Sequence, residues 1–182
     1  MDPLFGWLAP PVAVLASASA YAVQYMKAED AQKLMFPDST FVASHLTLNS
    51  DQRKAVEKLS GQAMRIPDHK VWKVEKGGKL VGYFFVDEVW GKHELITYAV
   101  GITAEGKVRQ VEVLDYRETH GFEIRNPRWR QQFVGKSLDD NLVLNKAIKN
   151  ITDATMSCRH VTDGVRRLLA LHQLVLTAPT PQ

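Results

Sequence analysis

Residues 69–89 read HKVWKVEKGGKLVGYFFVDEV and residues 93–118 read HELITYAVGITAEGKVRQVEVLDYRE. In both stretches apolar and polar side chains exchange places with a period of two, the spacing of a strand with one face turned to a core. Each stretch folds back on itself, the first at Gly77 and Gly78, the second at Ala104, Glu105 and Gly106, both turn compositions. Val108, Val111, Val113 and Leu114 break the alternation, which predicts a β-bulge in the last strand. Two successive hairpins give four antiparallel strands, enough for an independent sheet.

Working outward, the period changes to that of helices. Residues 27–36 (KAEDAQKLMF) place Ala28, Ala31, Leu34 and Met35 on one face, and Pro37 stops the run. Asn49, Ser50 and Asp51 precede QRKAVEKLSG, a second short helix with a polar cap before it and Gly61 after it. Beyond the sheet, Pro127 suits the first turn of a helix running into Phe133, with Gly135 past its end. Residues 142–149 read as another short helix. Residues 157–176 form the longest helical stretch, with Val161, Val165, Leu168, Leu169 and Leu171 on its apolar face. Residues 177–182 are a terminal tail. The expected fold is α+β: a twisted antiparallel sheet of about four or more strands flanked by helices, with an N-terminal apolar segment.

That N-terminal segment carries no charged residue from Pro3 to Met26. It is long enough to cross a bilayer, which takes ~20 apolar residues. It also ends in small residues, Ala18, Ser19, Ala20 and Ala22, that suit signal cleavage. Asp2 in place of a basic residue, and the kink expected at Pro10 and Pro11, fit either reading poorly. Residues 1–26 are thus a signal peptide or membrane anchor, or alternatively a buried N-terminal helix. Residues 27–66 read as an N-terminal helical segment.

The chain has 182 residues, 45% of them hydrophobic and 24% charged. That suits one globular domain with an appendage and excludes disorder. A net charge of +3, with its basic residues scattered, is no nucleic-acid signature. The single cysteine, Cys158, excludes an internal disulfide, a CxxCH haem site and a thiolate cluster. A redox group, where there is one, is organic or held by other ligands.

Two segments carry chemistry. Residues 151–157 (ITDATMS) open the longest helix and place the hydroxyls of Thr152, Thr155 and Ser157 at its start. Unpaired N–H groups and the positive end of the helix dipole make such a start a phosphate site, although ordinary capping by a hydroxyl reads the same way. Residues 116–125 (YRETHGFEIR) follow a strand. They offer an aromatic ring, acids and arginines around Gly121, a composition that suits a planar heterocycle or a charged surface turn.

Three motifs stand in order: Glu118-Thr119-His120-Gly121, Gln132-Phe133-Val134-Gly135-Lys136, and Thr152-Asp153-Ala154-Thr155-Met156-Ser157-Cys158. Together they resemble the FMN-binding domain family, whose pattern is E-T-P-G after a strand, then Q-F-x-G-K, then S-G-A-T-x-[ST]-S. That family includes the C subunit of the sodium-pumping NADH:quinone reductase and the G subunit of the Rnf electron-transport complex. The resemblance covers about residues 70–172 and implies an FMN-binding domain over residues 67–176.

It implies FMN bound by phosphoester to Thr155, made from FAD by a separate flavin transferase. Glu118, Thr119, His120, Gly121 and Phe122 would line the flavin pocket, with Thr152, Ala154, Met156 and Ser157 beside the phosphate. It further implies redox donor and acceptor proteins as partners, association with a membrane, and a periplasmic location or one on the outer face of the cytoplasmic membrane. The chain departs from the pattern at three places. Asp153 stands for glycine, His120 for proline, and Lys149 for an acid six residues before the threonine. The expectation is an electron carrier rather than an enzyme with its own small-molecule substrate. The alternatives are a non-covalent flavin-binding sensory or scaffold module, and a reductase with His120 as proton donor.

The remaining candidates have plainer readings. Cys158 is a small buried residue without a catalytic partner. Tyr83, Phe84, Phe85 and Trp90 are core positions on strands. Trp129 and Phe133 pack inward, with Arg125, Arg128 and Arg130 outside. His45, His69, His93, His160 and His172 lack the mutual spacing of metal ligands.

Overall fold

The computed structural model describes residues 23–177. The signal peptide or anchor expected over residues 1–26 lies almost wholly outside that range, as does the end of the tail. In chain order the elements are β1 (Val23–Gln24), α1 (Ala28–Met35), β2 (Thr40–Thr47), α2 (Ser50–Ser60), β3 (Asp68–Lys76), β4 (Lys79–Trp90), β5 (Leu95–Thr103) and β6 (Val108–Tyr116). They continue with α3 (Pro127–Arg130) and α4 (Thr155–Leu171). Short 3₁₀ turns flank α3, and a π-helical turn, His172–Leu176, extends α4.

The four expected strands form the centre of a six-stranded antiparallel sheet ordered β1-β6-β5-β4-β3-β2. Its two faces are both covered, which explains why Tyr83, Phe84 and Phe85 are all buried. Tyr83 and Phe85 join Tyr98, Val100, Val111 and Val113 under α4, whereas Phe84 turns to the opposite face with Ala31, Met35 and Phe36 of α1 and its exit.

The expected bulge is present twice. The β5–β6 register jumps between Thr97 and Tyr98 and again between Gly101 and Ile102, which leaves Leu114 and Arg109 without partners across the ladder. Both extra residues serve α1. Leu114 packs in the cluster around Met35. The Arg109 Nε donates to the Met35 carbonyl, and its guanidinium lies 5.0 Å over the Phe36 ring. A bulge re-aims a side chain, and here two of them dock one short helix.

Four expectations change. The segment 27–66 is not only helical, because β2 lies within it and pairs with β3 along its full length. Its residues are exposed or half-buried, as suits an edge strand, so it lacks the apolar run that marks the central ones. Residues 142–149 form no helix: Asn145 sits at φ 64°, and a bridge joins Leu144 to Ile148. A left-handed residue cannot continue a right-handed helix. Trp90 ends β4 with 60% of its surface exposed and is not core. Arg130 is not outside: it pairs with Glu112 in a largely buried contact and donates to the Val111 carbonyl at 2.8 Å. Trp129 and Phe133 do pack inward, edge to face at 5.1 Å.

Two histidines lie in the layer under α4. His172 is buried against Tyr83, with ring centroids 5.3 Å apart, and His69 is buried near Asp87 and Arg167. Burial pushes both imidazoles below the ordinary 6.5, and nearby acids offset this only in part. The unfolded chain therefore binds more protons than the fold once the pH falls under 6.5. The stability these groups allow is complete above 6.5 and is lost on acidification toward the lowered values. The unfolding free energy from urea titration should fall between pH 7.5 and 5.5, by up to about 1.4 kcal/mol per pH unit below 6.5 for each histidine. His172→Phe should flatten that slope; equal free energies at the two pH values would contradict the assignment.

Candidate flavin cleft

The start of α4, the loop after β6 and the β4–β5 turn meet around one cleft of about 580 Å³. Lys92 and His93 line it from the turn, Glu118, Thr119 and His120 from the loop, and Asp153, Ala154, Thr155, Met156 and Ser157 from the helix start. The two chemistry-bearing segments of the sequence therefore face each other. Antiparallel pairing of β4, β5 and β6 brings the β4–β5 turn and the exit of β6 to the same end of the sheet.

One hydroxyl ties the loop to the helix. The Tyr116 phenol donates to the His120 carbonyl at 2.6 Å and lies 3.1 Å from the Ser157 Oγ. Its only proton goes to His120, so Ser157 is the donor in the second contact. Burial raises the Tyr116 pKa, with the Ser157 hydroxyl pulling the other way, so the phenol stays protonated. Gly121 passes behind this contact at φ 84°. A Cβ there would stand 2.7 Å from the phenol oxygen and 3.2 Å from Ala154, so only glycine lets the loop close on the helix.

Glu118 ties the loop to the turn. Its carboxylate accepts the N–H of His93 at 2.6 Å and of Glu94 at 3.1 Å. Burial pushes this carboxyl up, but the backbone donors of His93, Glu94 and Lys92 together outweigh it and hold the pKa below the ordinary value. Any side chain at Gly91 would run into the same carboxylate.

The helix wall is open. Ala154 is the N-cap of α4 and supplies no side-chain bond, and the helix's own N–H ladder begins with the bond from Cys158 to Ala154 at 2.8 Å. The N–H groups of Thr155, Met156 and Ser157 belong to the first turn, where a helix leaves its donors unpaired. Thr155 is the first helical residue, and its hydroxyl accepts from the Asn150 side-chain amide at 2.8 Å. Asp153 sits at φ 66° with its side chain exposed to solvent. Cys158 is buried behind the wall, and burial raises its thiol pKa rather than lowering it.

Not every expected residue reaches the cleft. Gly121 is buried behind it, Phe122 is 55% exposed outside it, and Thr152 is exposed away from its lining. Lys92, His93 and Asn150 belong to the site but were not among the residues expected there, and Tyr116 was read only as the start of the segment 116–125. The first two enter through strand register, which a linear motif does not contain. The Q-F-V-G-K motif stays outside the cleft and braces the segment before α4 at Lys149. The Gln132 Oε1 accepts the Lys149 N–H at 2.8 Å, the Trp129 indole donates to the Lys149 carbonyl at 2.9 Å, and Gly135 and Lys136 pair with Val108.

Residues 91–170 match the model of the FMN-binding domain family. That stretch of the chain is similar to the domain of that family. The matched stretch contains all three walls, and the flavin expected from the sequence is the ligand that names the family. The chain is 28% identical over 133 residues to the G subunit of the Na(+)-translocating ferredoxin:NAD(+) oxidoreductase complex of Acetobacterium woodii, a match covering 66% of this chain and 64% of that protein. It thus spans less than two thirds of that relative's own length. It is 26% identical over 127 residues to the G subunit of the proton-translocating ferredoxin:NAD(+) oxidoreductase complex of Clostridium ljungdahlii, covering 65% of this chain and 69% of that one. The fold is that of Shewanella oneidensis NqrC in its crystal structure, with a TM-score of 0.54, 16% identity, and coverage of 85% of this chain and 92% of the other.

The left-handed backbone at Asp153 gives a physical reason for the glycine in the family pattern. Aspartate tolerates this region better than most residues, and a β-carbon without a local polar group costs about 1–2 kcal/mol there. Chemical denaturation should rank Asp153→Gly at or above the parent and Asp153→Ala below it by about 1 kcal/mol. An alanine variant as stable as the parent would show that the conformation carries no strain.

Proposed function

We propose that this chain is an electron-transfer flavoprotein that carries FMN through a phosphoester to Thr155 and works outside the cytoplasm with protein redox partners. The observation that carries the proposal is the open first turn of α4, with the Thr155 hydroxyl at its head, facing the loop 118–120 across one cleft. A phosphodiester is an anion, and the first-turn N–H groups and the helix dipole stabilise one without any basic side chain. The cleft volume lies within the ~300–1,000 Å³ usual for cofactor sites. Thr155, Ser157 and the first-turn amides would hold the phosphate. Thr119, His120, Lys92 and His93 would border the ring, while Glu118 keeps turn and loop in register.

Bound FMN supplies reversible electron transfer; the protein supplies binding and electrostatics. Glu118 is engaged by backbone donors, and the Tyr116 phenol remains protonated between two oxygens. Neither is set up to act on a separate substrate. Attachment would join the Thr155 oxygen to the ribityl-side phosphorus of FAD, with a flavin transferase as catalyst. The bond from that phosphorus to the bridging oxygen breaks, AMP leaves with the electron pair, and the hydroxyl proton passes to a base.

The names of the relatives suggest the setting: a subunit among others in an ion-translocating complex, with donor and acceptor supplied by neighbouring subunits. The charge-free run from Pro3 to Met26 supports export or anchoring. No helix among the described residues is long and apolar enough to cross a membrane.

Intact-mass spectrometry after co-expression with a flavin transferase should show the chain plus FMN minus water, and Thr155→Val should abolish the adduct. A coloured protein of unmodified mass would favour the non-covalent module instead; a colourless one would remove the proposal. For the location, alkaline phosphatase fused to the C-terminus should be active in cells. An inactive but stable fusion would place the domain in the cytoplasm.

A further inference from the structure

We infer that Asn150 is a positioning residue for attachment at Thr155, and that Gln132 and Trp129 act through it. The inference rests on the reading of Thr155 as the attachment site. A threonine at the first position of a helix can place its hydroxyl in more than one staggered rotamer. Here the Asn150 amide donates to that oxygen at 2.8 Å and selects one. Donation engages one lone pair. The other stays free to form the bond to phosphorus, and the hydroxyl proton points away from Asn150, where a base of the transferase can take it.

Asn150 is itself held. Both backbone groups of the preceding residue, Lys149, are bound: its N–H to the Gln132 Oε1 at 2.8 Å and its carbonyl to the Trp129 indole at 2.9 Å. The Gln132 amide donates in turn to the Trp129 carbonyl at 3.1 Å, which closes the clamp. Trp129 is buried against Phe133 and cannot shift without disturbing the core. A second observation sets Asn150 apart from a capping or turn residue. Its Oδ1 is buried and has no hydrogen-bond partner among the described residues. An unmet polar atom of this kind is uncommon in a fold and needs a functional or structural reason. Asn150 meets no such need of its own oxygen, yet it keeps its nitrogen on Thr155. The motif that never touches the cleft thus reaches the threonine through the Gln132 side chain, the Lys149 backbone and the Asn150 side chain.

The test follows attachment to the purified full-length chain by intact mass over time, with FAD and a flavin transferase. Asn150→Ala and the nearly isosteric Asn150→Asp, which cannot donate, should each lower the turnover number for attachment by about tenfold. The apparent KM for the chain and the circular-dichroism spectrum should not change. Gln132→Leu should slow attachment too, and combining it with Asn150→Ala should slow it no further than Asn150→Ala alone. Should the alanine variant fail to fold, the aspartate variant carries the test. Attachment to both Asn150 variants at the parental turnover number, or a change confined to KM, overturns the inference. If the parent takes up no FMN, the reading of Thr155 falls and this inference with it. A labelled parent with unimpaired Asn150 variants removes this inference alone.

Discussion

The Tyr116 hydroxyl, between the carbonyl of His120 and the hydroxyl of Ser157, is the contact on which the cleft depends. It sits at the last residue of β6, so the sheet itself sets its position. From there one proton fixes the loop and one oxygen receives the helix. Two walls that are remote in sequence are held apart by the width of a phenol oxygen and its partners. The same crowding excludes a side chain at Gly121. A buried hydroxyl with both capacities used is rigid, since any movement would leave a desolvated donor or acceptor without a partner. The cleft is therefore set by the fold before any ligand arrives.

Charge around the cleft follows the same logic. Its acidic group on the loop, Glu118, has its negative charge turned toward backbone N–H groups of the β4–β5 turn. The helix start keeps its donors open, and Lys92 and His93 stand on the facing turn. An anion at Thr155 thus meets unpaired donors, while the Glu118 carboxylate on the loop is already satisfied. That pattern distinguishes this helix start from a capped one. In α2 the Asn49 side chain accepts from Gln52 and Gln52 returns the bond, closing the end.

The central sheet was legible because its strands are long, apolar and joined by glycine-bearing turns, so local pattern and tertiary role agree. Even the bulge in β6 could be read from four side chains. The edge strand β2 was not, because its pairing with β3 stabilises it and its own burial is slight. Residues 142–149 misled for a related reason. Leu144 and Ile148 stand four residues apart and both pack on the core, but the left-handed backbone at Asn145 breaks the run. Of the site, the loop 118–120 and the helix start 154–157 were legible as motifs. Lys92 and His93 were not, since only the strand register brings them there. Asn150 escaped because nothing in its type or spacing distinguishes it from any loop asparagine.

The place of Asp153 follows from weighing two costs. Position 153 must turn left-handed so that α4 can begin with Thr155 toward the cleft. Most side chains would add about 1–2 kcal/mol of steric cost there, whereas aspartate is among the few that visit this region routinely. Its charge lies near the phosphate site, but the side chain is exposed to solvent. Two unit charges even 4 Å apart interact by only about 1 kcal/mol in water, and salt lowers that further. The backbone demand is thus at least as large as the electrostatic one, and it cannot be screened. An aspartate can stand in for glycine at this turn, while a β-branched or aromatic residue of neutral charge could not.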